Sequence, residues 1–388
     1  MFALPNIEIR EAIGVEGFAL VSLHDERLRG LANQHAEFKS YLGRFTTEFG
    51  NAIHPSILLC RSDAPKRYRS VEAIAAFRDA VAMAFIPRGW AHALRFENNR
   101  GVRYSDYFNV YPWMVDAQYE GIVAQTLDMR GWHVVEALSP QATPGLTPRS
   151  FDAGDLDVPL IAALLARWKT CFAADVPDTK DVQLFRSLNM ANAAARMPAG
   201  ADVTSYDIGR SVALWASAFE ILAPSDSEAF KKVYALLERN TWNYTPCNEQ
   251  KYRVYGRDQT LRGLPVWLFG AINAARNDYL HGNPLTPDRL VVAPGKRPLS
   301  LYAAPLYRMA LAAFIDLKHE QAAPKPDDLS AYMAFRQDQF AFGRYQGDIE
   351  IALGTILHTE QEYRQLRQQR VDEARRRSRH IALPSDIE

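Results

Sequence analysis

From about residue 160 onward, apolar residues recur at +3 and +4 spacing, and Pro or Gly punctuates the end of run after run. The clearest case starts near Ser205 and carries Ile208, Val212, Trp215, Phe219 and Leu222, with Pro224 just beyond. Five further runs share the period: 160–174, 182–197 (closed by Pro198 and Gly200), 228–240, 265–282 and 300–318. Pro265 opens the fourth of these and Gly282 with Pro284 closes it, which is the usual punctuation of a helix. An apolar stripe on a helix must be covered by another element, so several in series predict an all-α helical bundle over 160–320. Beyond Pro324 and Pro326 the chain reads as helical again from 328 to 378. Residues 327–388 are therefore expected to form a helical basic C-terminal extension.

The first 150 residues differ. Apolar runs such as Phe18-Ala19-Leu20-Val21-Ser22-Leu23 and Ile57-Leu58-Leu59-Cys60 have the length of strands. One helix follows Ser70 as N-cap, with Ile74, Phe77, Val81 and Ala84 on one face. An α+β module is expected over 1–150, and the breaker-rich stretch 139–159 is expected to bound it. A chain of 388 residues is long enough for two or three cores.

Lys+Arg and Asp+Glu both number 45, so any attraction for nucleic acid or anionic lipid must come from a local patch. Cys60, Cys171 and Cys247 are widely separated, which excludes a disulfide framework or cysteine-based zinc module and fits a reducing compartment. The amino terminus has neither a basic start nor an apolar core, and no run approaches the length of a membrane helix. A cytoplasmic protein that does not engage a membrane is expected. Gly295-Lys296 lacks the flanking residues of a phosphate loop, and neither a His-Glu-x-x-His helix nor a Gly-x-Ser-x-Gly elbow occurs. The nine histidines show no ligand spacing, so neither a metal nor another cofactor is expected. Residues 119–135 carry Gly121, Gly131, Trp132 and His133 in an order faintly like the helix-then-strand opening of restriction-type nucleases. No Glu-x-Lys pair follows to hold a metal, so a strand–helix element of a sensing or scaffolding module is expected there.

The stretch richest in chemistry is Ala275-Arg276-Asn277-Asp278-Tyr279-Leu280-His281-Gly282. The stripe Val266, Phe269, Ile272 continues onto Arg276, so a guanidinium stands where the period calls for an apolar side chain. Asn277 and His281 lie four apart and share a face. Arg276 and His281 are five apart, about 140° around the axis. His281 falls in the last turn, where the negative end of the helix favours imidazolium. A phosphate-binding guanidinium and an imidazole are the parts that metal-free phosphodiester cleavage needs. An Arg at the edge of the stripe with a His capping carbonyls is the structural alternative.

Arg276-Asn277-x-x-x-His281-Gly282 resembles the Arg-polar-x(3–5)-His signature of HEPN domains. Leu214-Trp215-Ala216-Ser217-Ala218-Phe219-Glu220-Ile221-Leu222 resembles the helix that precedes the motif in the Apea-like branch. The resemblance spans roughly 180–318. It implies a helical bundle that homodimerises, bringing two motif helices to one composite groove. It further implies a metal-independent endoribonuclease, of the kind found in antiviral abortive infection and in toxin–antitoxin pairs. In that scheme His281 acts on the 2′-hydroxyl or the leaving oxygen, Arg276 stabilises the charged phosphate, Asn277 orients the site and Glu220 supports it. The branch paired with nucleotidyltransferase antitoxins carries a modified Tyr two residues after the motif His; here that position is Asn283. HEPN-like bundles also serve without catalysis, as dimerisation or nucleotide-binding modules. The 1–150 module would then sense a ligand or bind a protein or small-molecule regulator.

The segment 363–380 holds seven arginines against Asp372 and Glu373. Arg364 with Arg367, and Arg375 with Arg379, form two short rows that could follow an RNA backbone. A solvated helix facing an acidic surface is the alternative.

Overall fold

The computed structural model describes all residues except 97–100, 117, 126–129, 135–145, 152, 198–202, 224–228, 255–259, 284–285, 293–294, 318–328, 367, 370–371 and 373–388. The chain divides into two compact units, one of residues 1–86 with 104–201 and the other of 87–103 with 202–388.

The first unit opens with β1 (Phe2–Leu4), β2 (Ile7–Ile9), β3 (Ile13–Val15) and β4 (Phe18–Val21). Then come α1 (Glu26–Gln34), α2 (Ala36–Gly43), β5 (Ser56–Cys60) and α3 (Val71–Arg95), the last assigned to this unit as far as Ile86. Its second part contributes β6 (Trp113–Val115), β7 (Ile122–Gln125), β8 (Arg130–Val134), β9 (Arg149–Phe151), α4 (Val158–Ala173) and α5 (Thr179–Ala194). The main sheet is antiparallel in the order β1-β5-β4-β3. All four residues of β4 are buried, because both faces of the sheet are covered. Ala19 and Val21 join Leu28 of α1, Phe38 and Tyr41 of α2, and Ile57 in one cluster. On the other face Phe18 meets Phe77 of α3 at 4.8 Å and Trp168 of α4 at 5.0 Å between ring centroids. Trp168 is fully buried; it also stacks on Tyr68 at 4.5 Å and donates its Nε1–H to the Ala73 carbonyl at 2.8 Å.

This packing explains why α4 and α5 belong with the sheet rather than with the helices that follow. A boundary near 150–160 is expected from the breakers, but contacts put it at 201–202. Each helix is capped from its own sequence: Asp157 accepts from Leu160 N–H at 3.2 Å, and Asp178 from Lys180 N–H at 2.7 Å. Pro140, Pro144 and Gly145 of the expected linker lie outside the described residues. Within 119–135, where a strand–helix element is expected, Ile122–Gln125 and Arg130–Val134 are instead two antiparallel strands, with Ile122 opposite Val134.

The second unit contains α6 (Ser205–Leu222), α7 (Ala229–Glu238), α8 (Thr245–Asn248), the two-residue strands β10 (Tyr252–Arg253) and β11 (Leu261–Arg262), and α9 (Leu264–Leu280). The strands β12 (Val291–Val292) and β13 (Arg297–Pro298), α10 (Ser300–Phe314) and α11 (Leu329–Gly354) complete it. An α+β first part and a mostly helical remainder are thus what the periodicities call for. Residues 302–313 of α10 are buried without interruption, and α10 packs with α6, α7, α9 and α11. A helix buried on all sides belongs at the centre of a bundle, and here even Arg308 is enclosed. Around it Trp215 and Phe219 of α6 meet Tyr307 at 5.5 and 5.4 Å, and Phe219 meets Phe269 of α9 at 5.1 Å.

The C-terminal helix does not run unbroken to 378. After α11 the chain makes one turn of 3₁₀ helix at Thr355–Leu357 and restarts behind Thr359. Thr359 N–H donates to Glu362 at 2.8 Å, and Glu362 N–H donates to the Thr359 hydroxyl at 3.3 Å. That Thr-x-x-Glu box favours a new start over continuation. Buried Arg297 closes the break by donating to the carbonyls of Thr355 (2.7 Å) and His358 (3.0 Å), with its guanidinium over the Tyr363 ring.

Candidate functional site

Helices α6 and α9 pack closely, and their adjoining C-terminal ends hold three of the four residues singled out in the sequence. α6 begins at the Thr204–Asp207 capping box, and its stripe from Val212 to Leu222 faces the core. Glu220 sits half-buried one position after Phe219, off the stripe. α9 is mostly buried as far as Ala275, with Trp267, Asn273 and Ala274 half-buried, and then leaves the core: residues 276–279 are half-buried, and Leu280 and His281 are exposed.

Arg276 is therefore the residue at which a buried helix face becomes a surface. Its Nη2 donates to Glu220 Oε2 at 3.3 Å and its Nη1 to Asn277 Oδ1 at 3.0 Å. The side chains of Arg276 and Glu220 keep only 27% and 21% of their exposure, so the pair lies in a medium of reduced polarity. Arg276 Nε, and Asn273 Oδ1 one turn earlier, are buried with no partner among the described residues.

His281 terminates the helix. Its backbone N–H reaches the Asn277 carbonyl at 3.0 Å, and Gly282 turns into the left-handed region (φ 71°), as expected of the residue after a C-cap. Asn283 then closes a six-to-one bond to the Asp278 carbonyl at 3.0 Å and adds a side-chain bond to the Asp278 carboxylate at 3.1 Å. The residue two after His281 is thus a helix-capping Asn. The His281 imidazole is exposed and makes no side-chain hydrogen bond among the described residues. Glu220, Arg276 and Asn277 are brought into one network; His281 is tied to it through the backbone of the last turn.

Of the basic rows, Arg364 is exposed and donates to Glu360 at 3.0 Å on the same helix, so a neighbouring acid shares its charge. Arg367, Arg375 and Arg379 lie outside the described residues.

Cys171 and Cys247 are buried, and burial pushes both thiols upward, Cys171 to about 11, which leaves neither a ready nucleophile.

One group of side chains escapes linear spacing altogether. Glu8, His24 and His54 offer one ligand atom each, all within 4.8 Å of one another, and among the described residues they are the one such group of three. They belong to the first unit. The antiparallel ladder of β4 on β5 ends with Val21 opposite Ile57, and just beyond it the turn that holds His24 and the approach to β5 that holds His54 come together, ring centroids 5.8 Å apart. The signal was thirty residues of separation across a strand pair, which no short motif reveals.

Among the described residues no helix is long and apolar enough to cross a membrane. Comparison of the chain with protein-family models, with curated proteins and with solved structures found no match.

Proposed function

We propose that the chain is a metal-independent endoribonuclease of the HEPN type, acting as a homodimer in antiviral defence or as a toxin. The observation that carries this reading is the Glu220–Arg276–Asn277 network at the end of the helix that His281 terminates. Glu220 and Asn277 fix the guanidinium, so it meets a phosphate without first losing side-chain freedom. His281, exposed at the negative end of the helix, is placed to exchange a proton with the 2′-hydroxyl or the leaving oxygen. A second copy facing across a two-fold axis doubles the cationic groups at one phosphate. Exposed Leu280 in the same turn gives that contact an apolar element.

A second reading, a non-enzymatic dimerisation or nucleotide-binding module, draws on the same ion pair, because the Glu220 carboxylate offsets the charge that Arg276 would present to RNA.

Incubation with total RNA in EDTA separates the two. The nuclease reading expects cleavage by wild type, 2′,3′-cyclic phosphate ends, and loss of cleavage in His281→Ala with an unchanged circular dichroism spectrum. Cleavage that strictly needs Mg²⁺, or that survives His281→Ala, rejects it. Light scattering should report a dimer whose interface includes α9 and buries more than roughly 1,000 Å².

A further inference from the structure

We infer that Glu8, His24 and His54 form a binding site for a divalent first-row transition-metal ion, with zinc as the best match to the donor set. This site belongs to the first unit, shares no residue with the α6–α9 network and does not depend on the ribonuclease reading.

The fold builds it from three fixed points. Glu8 is the middle residue of β2, between buried Ile7 and Ile9, so its side chain is turned outward. That strand is held on both sides. It pairs in parallel with β9, Glu8 opposite Ser150, and the Ser56 hydroxyl accepts from Ile9 N–H and donates to the Ile7 carbonyl, each at 2.9 Å. His54 lies two residues before Ser56, at the start of β5. His24 lies in the turn after β4, just beyond the last ladder pair, Val21 with Ile57. The two rings meet edge to face with centroids 5.8 Å apart.

Glu8 Oε1 is 3.9 Å from His24 Nε2 and 3.6 Å from His54 Nδ1. Donors bonded at about 2.1 Å to a tetrahedral ion stand about 3.4 Å apart, so small side-chain rotations close these gaps. The other carboxylate oxygen is taken: Ser150 Oγ donates to Glu8 Oε2 at 2.9 Å. That bond turns Oε1 toward the histidines, as outer partners of metal-binding carboxylates do. Two imidazoles and one carboxylate suit a borderline ion such as Zn²⁺ better than Ca²⁺ or Mg²⁺, which prefer oxygen. Three protein donors leave at least one position of a four-coordinate ion open. It faces solvent, because the His24 and His54 side chains keep 74% and 53% of their exposure. An open position is the property of an ion that binds or activates a further ligand, whereas a purely structural zinc is closed.

The test uses untagged full-length protein, stripped with EDTA and desalted, then titrated with Zn²⁺ by calorimetry and with Co²⁺ by visible absorbance. Wild type should take up one Zn²⁺ and show the intense visible bands of low-coordinate Co²⁺. His54→Ala and Glu8→Gln should each weaken Zn²⁺ binding by at least about tenfold, and Ser150→Ala by roughly tenfold through the lost carboxylate anchor. His35→Ala, outside the cluster, should bind as wild type does. The histidines are more than half exposed, so their truncation opens no cavity, and circular dichroism verifies the fold. Wild type that binds no Zn²⁺ at about 100 μM, or a His24→Ala/His54→Ala double variant with wild-type stoichiometry and affinity, overturns the proposal.

Discussion

The Glu220–Arg276 pair can be weighed by a double-mutant cycle, and the structure sets the size of the answer. Opposite unit charges 3.3 Å apart attract by about 5 kcal/mol at an effective dielectric constant near 20. Most of that is offset by desolvation of two side chains that are about three quarters covered, and by the rotamers they lose. Charged hydrogen bonds net about 1.5–3 kcal/mol, and residual exposure screens the pair, so a coupling of about 1–2 kcal/mol is expected. Glu220→Ala and Arg276→Ala should each destabilise the second unit by roughly 2 kcal/mol, and the double variant by less than their sum by the coupling energy. Hydrogen exchange of the α6 and α9 amides in low urea reads this locally, without treating two units as one transition. A companion variant, Glu220→Gln, keeps a hydrogen-bond acceptor and removes the charge, so Arg276 should hold a phosphate more tightly in a His281→Ala background. Additivity of the two alanine variants to within about 0.4 kcal/mol would show that the pair is too solvated to fix the guanidinium. The preorganisation argument for the site would fall with it.

Trp168→Ala should cost the first unit about 3–5 kcal/mol in urea unfolding, since the ring is fully buried against Phe18, Tyr68 and Phe77; a loss under about 1.5 kcal/mol would mean that this face is not the core. Burial pushes the Asp79 carboxyl above its ordinary range, against the opposing pull of Arg78 and of Asn189. The folded state thus holds this proton more tightly than the unfolded chain. The associated cost is full at neutral pH, is relieved as pH falls through the raised folded value, and is gone below the unfolded value of 3.8. The difference in melting temperature between Asp79→Asn and wild type should therefore favour the variant most at neutral pH and shrink on acidification, and a pH-independent difference would refute the assignment.

How much of this was legible in the sequence depended on how local the determining physics was. The helices α4 to α7, α9 and α10 are set by stripes, caps and breakers within twenty residues, and those signals are in the chain as written. The break after α11 was equally local, a Thr-x-x-Glu box at Thr359, but it competes with a helical period that continues on both sides. Where α4 belongs was not local, because Trp168 meets Phe18 from 150 residues away, and nothing in the run around Trp168 says which surface will cover it. Arg276 was visible because a charge interrupted an apolar period. Its bond to Asn277 is a matter of adjacency, whereas its bond to Glu220 depends on how α6 and α9 are aligned. Asn283 shows the converse: its identity was read as a departure from a family pattern, and only the helix end explains what it does instead.

The two candidate sites differ in a way that one reagent exposes. Chemistry at Arg276 and His281 needs no ion, so chelation should leave it unchanged, and substitutions at Glu8, His24 or His54 should matter to it only through folding. An ion at Glu8, His24 and His54 is removed by chelation, and its effects should follow those three residues and Ser150 while ignoring His281. Each single experiment has a bland interpretation, because EDTA can strip structural ions and His→Ala can loosen a helix end. The crossed design does not. If RNA cleavage is lost in EDTA and in His54→Ala but retained in His281→Ala, the reacting centre belongs to the first unit and the resemblance carried by residues 180–318 is architectural. If cleavage is lost in His281→Ala and indifferent to both EDTA and His54→Ala, the α9 terminus carries the reaction. A zinc bound by Glu8, His24 and His54 then serves recognition or regulation. The physical basis of the distinction is that a guanidinium carries its charge permanently, whereas a metal site must be loaded before it can act.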